Sequence, residues 1–348
     1  MPTPVTVAVF ISYMCQDVLT DFLTTLGLKM TSIDFPEKIS AIVFGYHNVG
    51  VRCLSVLISA GIDVRLVVTH EDDAKENIWF DSISSLARQH SIRVICPENP
   101  NKQEVIRELQ ESSPDIIFSF YYRKILKPEI LALPRLGSYN MHGSLLPKYR
   151  GRAPVNWAII HGETDTGTTL HQMVAKADAG AIVDRMAVPI LCNDTSRNVF
   201  DKVVVAAEIV MVRALPGLLS GRAKLQEMNI QDGSYFSGRT EEDGRINVWQ
   251  SARQIHDLVR AVSRPYPGAF VDLKQGRLKI WKTIVSDTTS EGLPALFLVD
   301  GQMTLRAGDG ACLRVLESDL NGTAMKDLQA SLGTHHIMLD RSNTNPFE

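Results

Sequence analysis

The feature that most constrains this chain is an alternation that begins at Ala41. Short runs of aliphatic residues alternate with stretches whose apolar residues recur at helical spacing. Ala41–Phe44 reads as a buried strand ending in the turn Gly45-Tyr46-His47-Asn48, after which Cys53, Leu54, Leu57 and Ile58 fall on one helical face. Val64–Val68 reads as the next strand, Ile78–His90 as a helix and Ile92–Ile95 as a third strand. Lys102–Glu111 reads as a polar-faced helix, and Asp115–Phe120 as a further buried strand. Such βαβ units predict an α/β fold: a Rossmann-like, mostly parallel sheet with helices on both faces. Ligands of these sheets bind outside the carboxyl ends of the strands, where the residues after Phe120 and around Asn140 fall.

The rhythm then changes. Gly167–Val174 and Ala181–Pro189 read as strands and Thr195–Leu215 as a long helix. Beyond Gly217, helix Ala252–Val262 precedes short strands with glycine turns, at Ala269–Leu273, Leu278–Trp281, Leu296–Val299 and Leu313–Leu316. This predicts a smaller β-rich, OB-like C-terminal domain. The expected organisation is an N-terminal extension over 1–38, a catalytic domain over 39–225 and a C-terminal subdomain over 235–330. In the extension, Thr6–Ile11 resembles a strand and Val18–Leu26 an amphipathic helix, and neither carries visible chemistry.

Composition narrows the partners. A net charge of −3 lacks the basic excess of a broad nucleic-acid face, which argues against nucleic acid as substrate. Cys15, Cys53, Cys96, Cys192 and Cys312 form no C-x-x-C pair and read as reduced thiols of a cytoplasmic protein. No apolar run reaches the roughly 18 residues of a membrane span, and Met1–Phe10 lacks the basic start of a secretory signal. His47, His70, His90, His161, His171 and His256 show no ligand spacing; they read as structural or surface residues, and no metal is expected. A homo-oligomer is compatible with this composition.

One segment is unlike packing sequence: Asn140-Met141-His142-Gly143-Ser144-Leu145-Leu146-Pro147-Lys148-Tyr149-Arg150-Gly151-Arg152-Ala153-Pro154, after a strand-like Gly137–Tyr139. Asn140 and His142 are two residues apart, so an extended backbone points both to one side. Leu145, Leu146 and Pro147 anchor the loop, and Lys148, Arg150 and Arg152 read as a solvated positive face. Asp178 lies in Lys176-Ala177-Asp178-Ala179-Gly180-Ala181, where small residues allow close approach of a ligand. Singly, Asn140 would be a turn amide, His142 a structural histidine and Asp178 a solvated loop residue. Together they suit acyl transfer to an amine: an amide for the oxyanion, an imidazole for the proton, a carboxylate beside it.

N-x-H-x-S-L-L-P with a later Asp resembles the folate-dependent formyltransferase family. Ser144-Leu145-Leu146-Pro147-Lys148-Tyr149-Arg150-Gly151-Arg152-Ala153-Pro154-Val155-Asn156-Trp157, with Phe118-Ser119-Phe120-Tyr121-Tyr122-Arg123, is most similar to the branch acting on UDP-4-amino-4-deoxy-L-arabinose in lipid A modification and polymyxin resistance. The resemblance runs from about Ala41 to Leu316, including Pro265-Tyr266-Pro267-Gly268-Ala269-Phe270. It implies that Asn140 stabilises the transition state, His142 moves the proton and Asp178 supports it. It implies 10-formyltetrahydrofolate as co-substrate, held by Lys124, Ile125, Leu126, Arg152 and Val174-Ala175-Lys176-Ala177-Asp178, and a small-molecule aminosugar nucleotide as acceptor. The bifunctional enzyme of that branch carries a second, dehydrogenase-decarboxylase domain, for which 348 residues leave no room, and the N-terminal extension is outside the family pattern.

Rival readings remain. An NAD-dependent oxidoreductase would show a glycine fingerprint after the first strand, and Gly45-Tyr46-His47-Asn48-Val49-Gly50 is not G-x-G-x-x-G. A hydrolase releasing formate would share the Asn/His/Asp set. Other nucleotide-sugar N-formyltransferases, methionyl-tRNA formyltransferase and a non-catalytic nucleotide-sugar-binding protein are the further alternatives.

Overall fold

The computed structural model describes residues 38–73, 77–324 and 337–339. The elements expected at Thr6–Ile11 and Val18–Leu26 lie outside the described residues.

The first unit is the expected α/β layer. Its strands are β1 (Ser40–Gly45), β2 (Asp63–Val68), β3 (Arg93–Ile95), β4 (Ile116–Phe120) and β5 (Ser138–His142). Its helices are α1 (His47–Ser59), α2 (Ile83–Gln89), α3 (Gln103–Glu111) and the short α4 (Pro128–Leu131). After the two-residue β6 (Arg150–Gly151) and α5 (Pro154–Ile160) come β7 (Asp165–Gln172), β8 (Ile182–Pro189) and the long α6 (Ser196–Leu219). The sheet order is β3-β2-β1-β4-β5-β7-β8. The first five strands are parallel, while β7 and β8 join antiparallel.

Why the sheet is covered on both faces follows from strand alternation. In the fully buried β1, Ala41 and Val43 join the core that also holds Val49, Leu54 and Phe200, whereas Ile42 and Phe44 join the opposite core with Ile106 and Leu109. A Thr195/Asn198 capping box starts α6. Its Phe200, Val204 and Val210 pack on the sheet, and its Val199, Val203 and Ala206 pack into the C-terminal core. Helix α6 is therefore shared by both cores. It continues through Pro216 to Leu219, four residues past the expected end.

The second unit adds β9 (Tyr235–Phe236), α7 (Ala252–Val262), β10 (Ala269–Leu273), β11 (Gly276–Thr289), β12 (Ala295–Val299), β13 (Gln302–Arg306), β14 (Ala311–Leu320), β15 (Thr323–Ala324) and β16 (Ile337–Met338). Its sheet runs β10-β11-β14-β13-β12-β16, antiparallel throughout, as the short strands implied. Buried Ile255, Leu258 and Val259 of α7 belong to its core.

Two local expectations are corrected. The helix expected at Ile78–His90 begins only at Ile83, because Ser82 caps it by accepting from the Ser85 amide. Trp79 and Phe80 instead turn toward the His47 ring. The strand expected at Gly137–Tyr139 runs on to His142, so the candidate catalytic pair sits on the strand end itself.

Candidate active site

Strand β5 lies between parallel β4 and antiparallel β7, and this position builds the site. Its alternation puts Asn140 and His142 on one side of the sheet. Its register with β7 places His171 directly opposite Asn140, and Asn140 Nδ2 lies 3.2 Å from His171 Nε2. The loop after β7 then turns back so that Asp178 faces both imidazoles. Its Oδ1 lies 3.6 Å from His142 Nδ1 and 3.5 Å from His171 Nε2, while Oδ2 accepts from the Gly151 amide at 3.0 Å.

Local backbone demands explain the loop. Asp178 has a φ of 50°, the left-handed region that Asp tolerates better than most residues. Two residues on, a side chain on Gly180 would begin 2.0 Å from the Gln172 carbonyl oxygen, so only glycine fits the return. Strands β6 and β9 pair, and Gly151 likewise leaves no space for a Cβ beside the Phe236 carbonyl oxygen, 2.1 Å away. That close approach is what presents the Gly151 amide to Asp178.

The hydrogen bonds assign the nitrogens. The Tyr149 carbonyl can only accept, so His142 Nε2 carries a proton and donates to it at 2.8 Å. The working nitrogen is then Nδ1, on the Asp178 side. For His171, Nδ1 donates to the Gln172 carbonyl at 2.9 Å. Its Nε2 is nearer to Asn140 Nδ2 than to Asp178, and the shorter contact is Asn140 donating. One amide hydrogen of Asn140 is thereby anchored and the other is left to point elsewhere. His142 is 7% exposed and His171 1%, so both contacts are shielded from water. Burial alone would raise the pKa of Asp178. The nearby His142, the contact with His171 and the Gly151 amide outweigh it and hold the carboxyl below its ordinary range. The group is a carboxylate throughout the neutral range.

The motif Asn140–Pro154 thus brings the candidate residues together with Asp178 at one sheet edge. The formyl transferase family matches residues 37–215, and the formyl transferase C-terminal domain matches residues 239–332. The chain belongs to the formyltransferase family. Its fold is shared with an N-formyltransferase from Helicobacter canadensis solved with folinic acid and dTDP-3-aminofucose, at 23% identity and a TM-score of 0.63, covering 80% of this chain and 98% of that one. A sugar 3N-formyltransferase solved with dTDP and 5-N-formyl-THF has 21% identity and a TM-score of 0.65, over 83% of this chain and 100% of that one. A sugar N-formyltransferase from Shewanella sp. has 20% identity and a TM-score of 0.56, over 70% and 96%.

In this formyltransferase the other expected site residues differ in exposure. Ile125 is 69% exposed and Val174 41%, with Ala175, Lys176 and Arg152 also exposed, while Leu126 is packed in the core under β4. The Lys124 ammonium is engaged by the carbonyls of Pro97 and Glu98. Arg150, expected on a solvated face, is buried at 8% exposure, its guanidinium reaching the Ile230 carbonyl and the Tyr235 ring. Two of the histidines read as structural or surface have definite surroundings. His171 lies against Asn140 and Asp178, a placement legible only from its register opposite Asn140. His47 stacks on Phe80, with ring centroids 3.9 Å apart, and contacts Trp79 and Phe200.

A cavity of about 510 Å³ lies behind the Leu145–Tyr149 loop, lined by Pro147, Glu163, Arg185 and Gln226. None of Asn140, His142 or Asp178 lines it. Among the described residues, no helix is long and apolar enough to cross a membrane, and no group of His, Cys, Asp and Glu could hold a metal ion.

Proposed function

We propose that this formyltransferase moves the formyl group of 10-formyltetrahydrofolate onto the amine of a nucleotide-linked aminosugar, with UDP-4-amino-4-deoxy-L-arabinose the leading acceptor. The observation that carries this reading is the convergence of Asn140, His142 and Asp178 at the end of β5. The acceptor class is supported by proteins of the same fold, solved with dTDP-3-aminofucose and folinic acid or with dTDP and 5-N-formyl-THF. The closer choice of the arabinose nucleotide, with its place in lipid A modification, rests on the string Ser144–Trp157. The free thiols Cys53, Cys96, Cys192 and Cys312 agree with work in a reducing, cytoplasmic setting.

The residues present fit the donor. Exposed Ile125 and Val174 offer apolar surface for a flat pterin, and exposed Arg152 and Lys176 offer charge for the carboxylates of the folate's glutamate tail. The acceptor nitrogen attacks the formyl carbon, a C–N bond forms, and the carbonyl oxygen becomes an oxyanion. The free N–H of Asn140 donates to that oxygen, an interaction worth roughly 3 kcal/mol in comparable sites. His142 Nδ1 accepts the proton that the nitrogen sheds and returns it to the departing folate nitrogen as that C–N bond breaks. Nε2 stays fixed on the Tyr149 carbonyl throughout, and Asp178 offsets the charge on the imidazolium.

The test is a panel of aminosugar nucleotides offered to the purified chain with 10-formyltetrahydrofolate. Transfer to the arabinose nucleotide in preference to dTDP-linked 3-aminosugars is expected. Preference for a dTDP-linked sugar would move the acceptor assignment and leave the reaction standing.

A further inference from the structure

Tyr149 holds a backbone conformation that its side chain disfavours. Its φ is 56°, in the left-handed region where a bulky residue persists only if its surroundings enforce it. The surroundings do so. Its amide donates to Ser234 Oγ and its phenol to Glu163 Oε1, each at 2.9 Å. Its ring stacks on Phe236 and His161, with centroids 5.5 and 5.7 Å apart. Its carbonyl, turned inward, accepts from His142 Nε2 at 2.8 Å and from Ser144 Oγ at 3.3 Å.

The clamps are themselves held. Burial pushes the Tyr149 phenol up, and its bond to Glu163 adds to this, so the group stays a donor. Burial would raise the Glu163 carboxyl, but hydrogen bonds from Lys148 and Tyr149 outweigh it and hold the group below its ordinary range. The Glu163 amide donates to the Ala158 carbonyl at 3.0 Å, which fixes the residue to α5. Ser234 acts twice, because its carbonyl also accepts from the Arg150 amide at 3.0 Å, and the next two residues pair with Arg150 and Gly151 as β9. One short stretch therefore faces both His142 and Asp178: the Tyr149 carbonyl meets the first and the Gly151 amide the second. Ser234–Phe236 fall between the two stretches that match the family.

We propose that Tyr149 is a positioning residue for His142, kept in its left-handed turn by Glu163 and Ser234 so that its carbonyl pins the ring proton on Nε2. The assignment deepens the reading of His142 as proton acceptor and rests on it. A neutral imidazole carries one N–H, and two acceptors compete for it. The Tyr149 carbonyl stands 2.8 Å from Nε2, and the Asp178 carboxylate 3.6 Å from Nδ1. The nearer acceptor keeps the proton, and Nδ1 keeps its lone pair. In a relaxed turn the carbonyl swings away, Asp178 draws the proton to Nδ1, and that nitrogen has no lone pair for the proton of the attacking amine.

The test is nitrogen-15 NMR of the His142 ring in the full chain, with kinetics in parallel on 10-formyltetrahydrofolate and UDP-4-amino-4-deoxy-L-arabinose. The wild type is expected to carry the proton on Nε2. Tyr149→Phe and Glu163→Ala are expected to mix the tautomers and to lower kcat about tenfold, with both KM values held. Glu163→Gln is expected to recover most of the loss, because its amide oxygen still accepts from the phenol. Tyr149→Phe removes a single oxygen and keeps the test open if Glu163→Ala does not fold. A wild-type proton on Nδ1, or unchanged tautomer and kcat in a folded Tyr149→Phe, would overturn the assignment. Equal losses in Glu163→Gln and Glu163→Ala would also overturn it, by placing the effect in the Lys148 pair. A wild-type chain that leaves this acceptor unformylated would move the acceptor assignment, and the ring spectra would still decide the positioning.

Discussion

At the scale of single residues, Asp178 and His171 act through others. Asp178→Asn keeps the shape and removes the charge beside His142 Nδ1, 3.6 Å away. Without the carboxylate the imidazolium loses its counter-charge, so the histidine limb of the pH–rate profile should move to lower pH, and turnover should fall by more than a loop substitution explains. A solvated loop residue would cost within about 0.5 kcal/mol and leave the profile where it was. The sign for Asp178 itself is separate. Its carboxyl is held below the ordinary range, so its charge is complete at neutral pH and is lost only as pH falls below that range. His171→Phe tests positioning: the Asn140 amide loses its anchor at 3.2 Å, and kcat should drop about tenfold or more with little change in the folate KM. Equal losses in kcat and in folate binding would make His171 a packing residue instead.

Helix α7 carries the prediction at the scale of elements. Its buried Arg260 pairs with Asp257 at 2.7 Å and donates to the carbonyls of Leu191 and Asp194, tying α7 to the entry of α6. Arg260→Met removes the buried one of two cations on Asp257, leaving the more exposed Arg253 at 3.1 Å, and frees the Leu191 and Asp194 carbonyls; it should cost roughly 3 kcal/mol, read by denaturant unfolding. Its neighbour His256 donates from Nε2 to the Cys192 carbonyl and accepts from the Thr283 hydroxyl. Burial lowers its pKa in the folded chain. The stability it contributes is present above the unfolded histidine value, near 6.5, and is lost as pH falls below it. Unfolding midpoints compared above and below that pH should diverge, and His256→Gln should shrink the difference. Elements with strong period were legible: β1, α1 and α7 form where aliphatic spacing put them. The start of α2 was not, because Trp79 and Phe80 satisfied a helical pattern while their rings were claimed by His47.

For the whole molecule, the sheet class and the β-rich second unit could be read from periodicity, and the convergence of Asn140 and His142 with Asp178 was anticipated from one string and one loop. What escaped depended on pairing across the chain. His171 enters the site through the β5–β7 register, and Arg150 is buried because β6 pairs with β9, contacts that no local spacing encodes. The extension over residues 1–38 precedes β1 and the family match from residue 37, so its removal should leave turnover within about twofold, the scale of a change that touches no reacting group. Soluble but inactive protein would refute this. The central claim is that the formyl carbon passes from folate to a sugar nitrogen at His142. Its most direct measurement follows a carbon-13 label from 10-formyltetrahydrofolate in the wild type and in His142→Ala, with the aminosugar nucleotide present. The account predicts the label in the sugar amide, one per tetrahydrofolate released, and almost none moved by the folded variant. Label recovered as free formate, or transfer unchanged in His142→Ala, would contradict it.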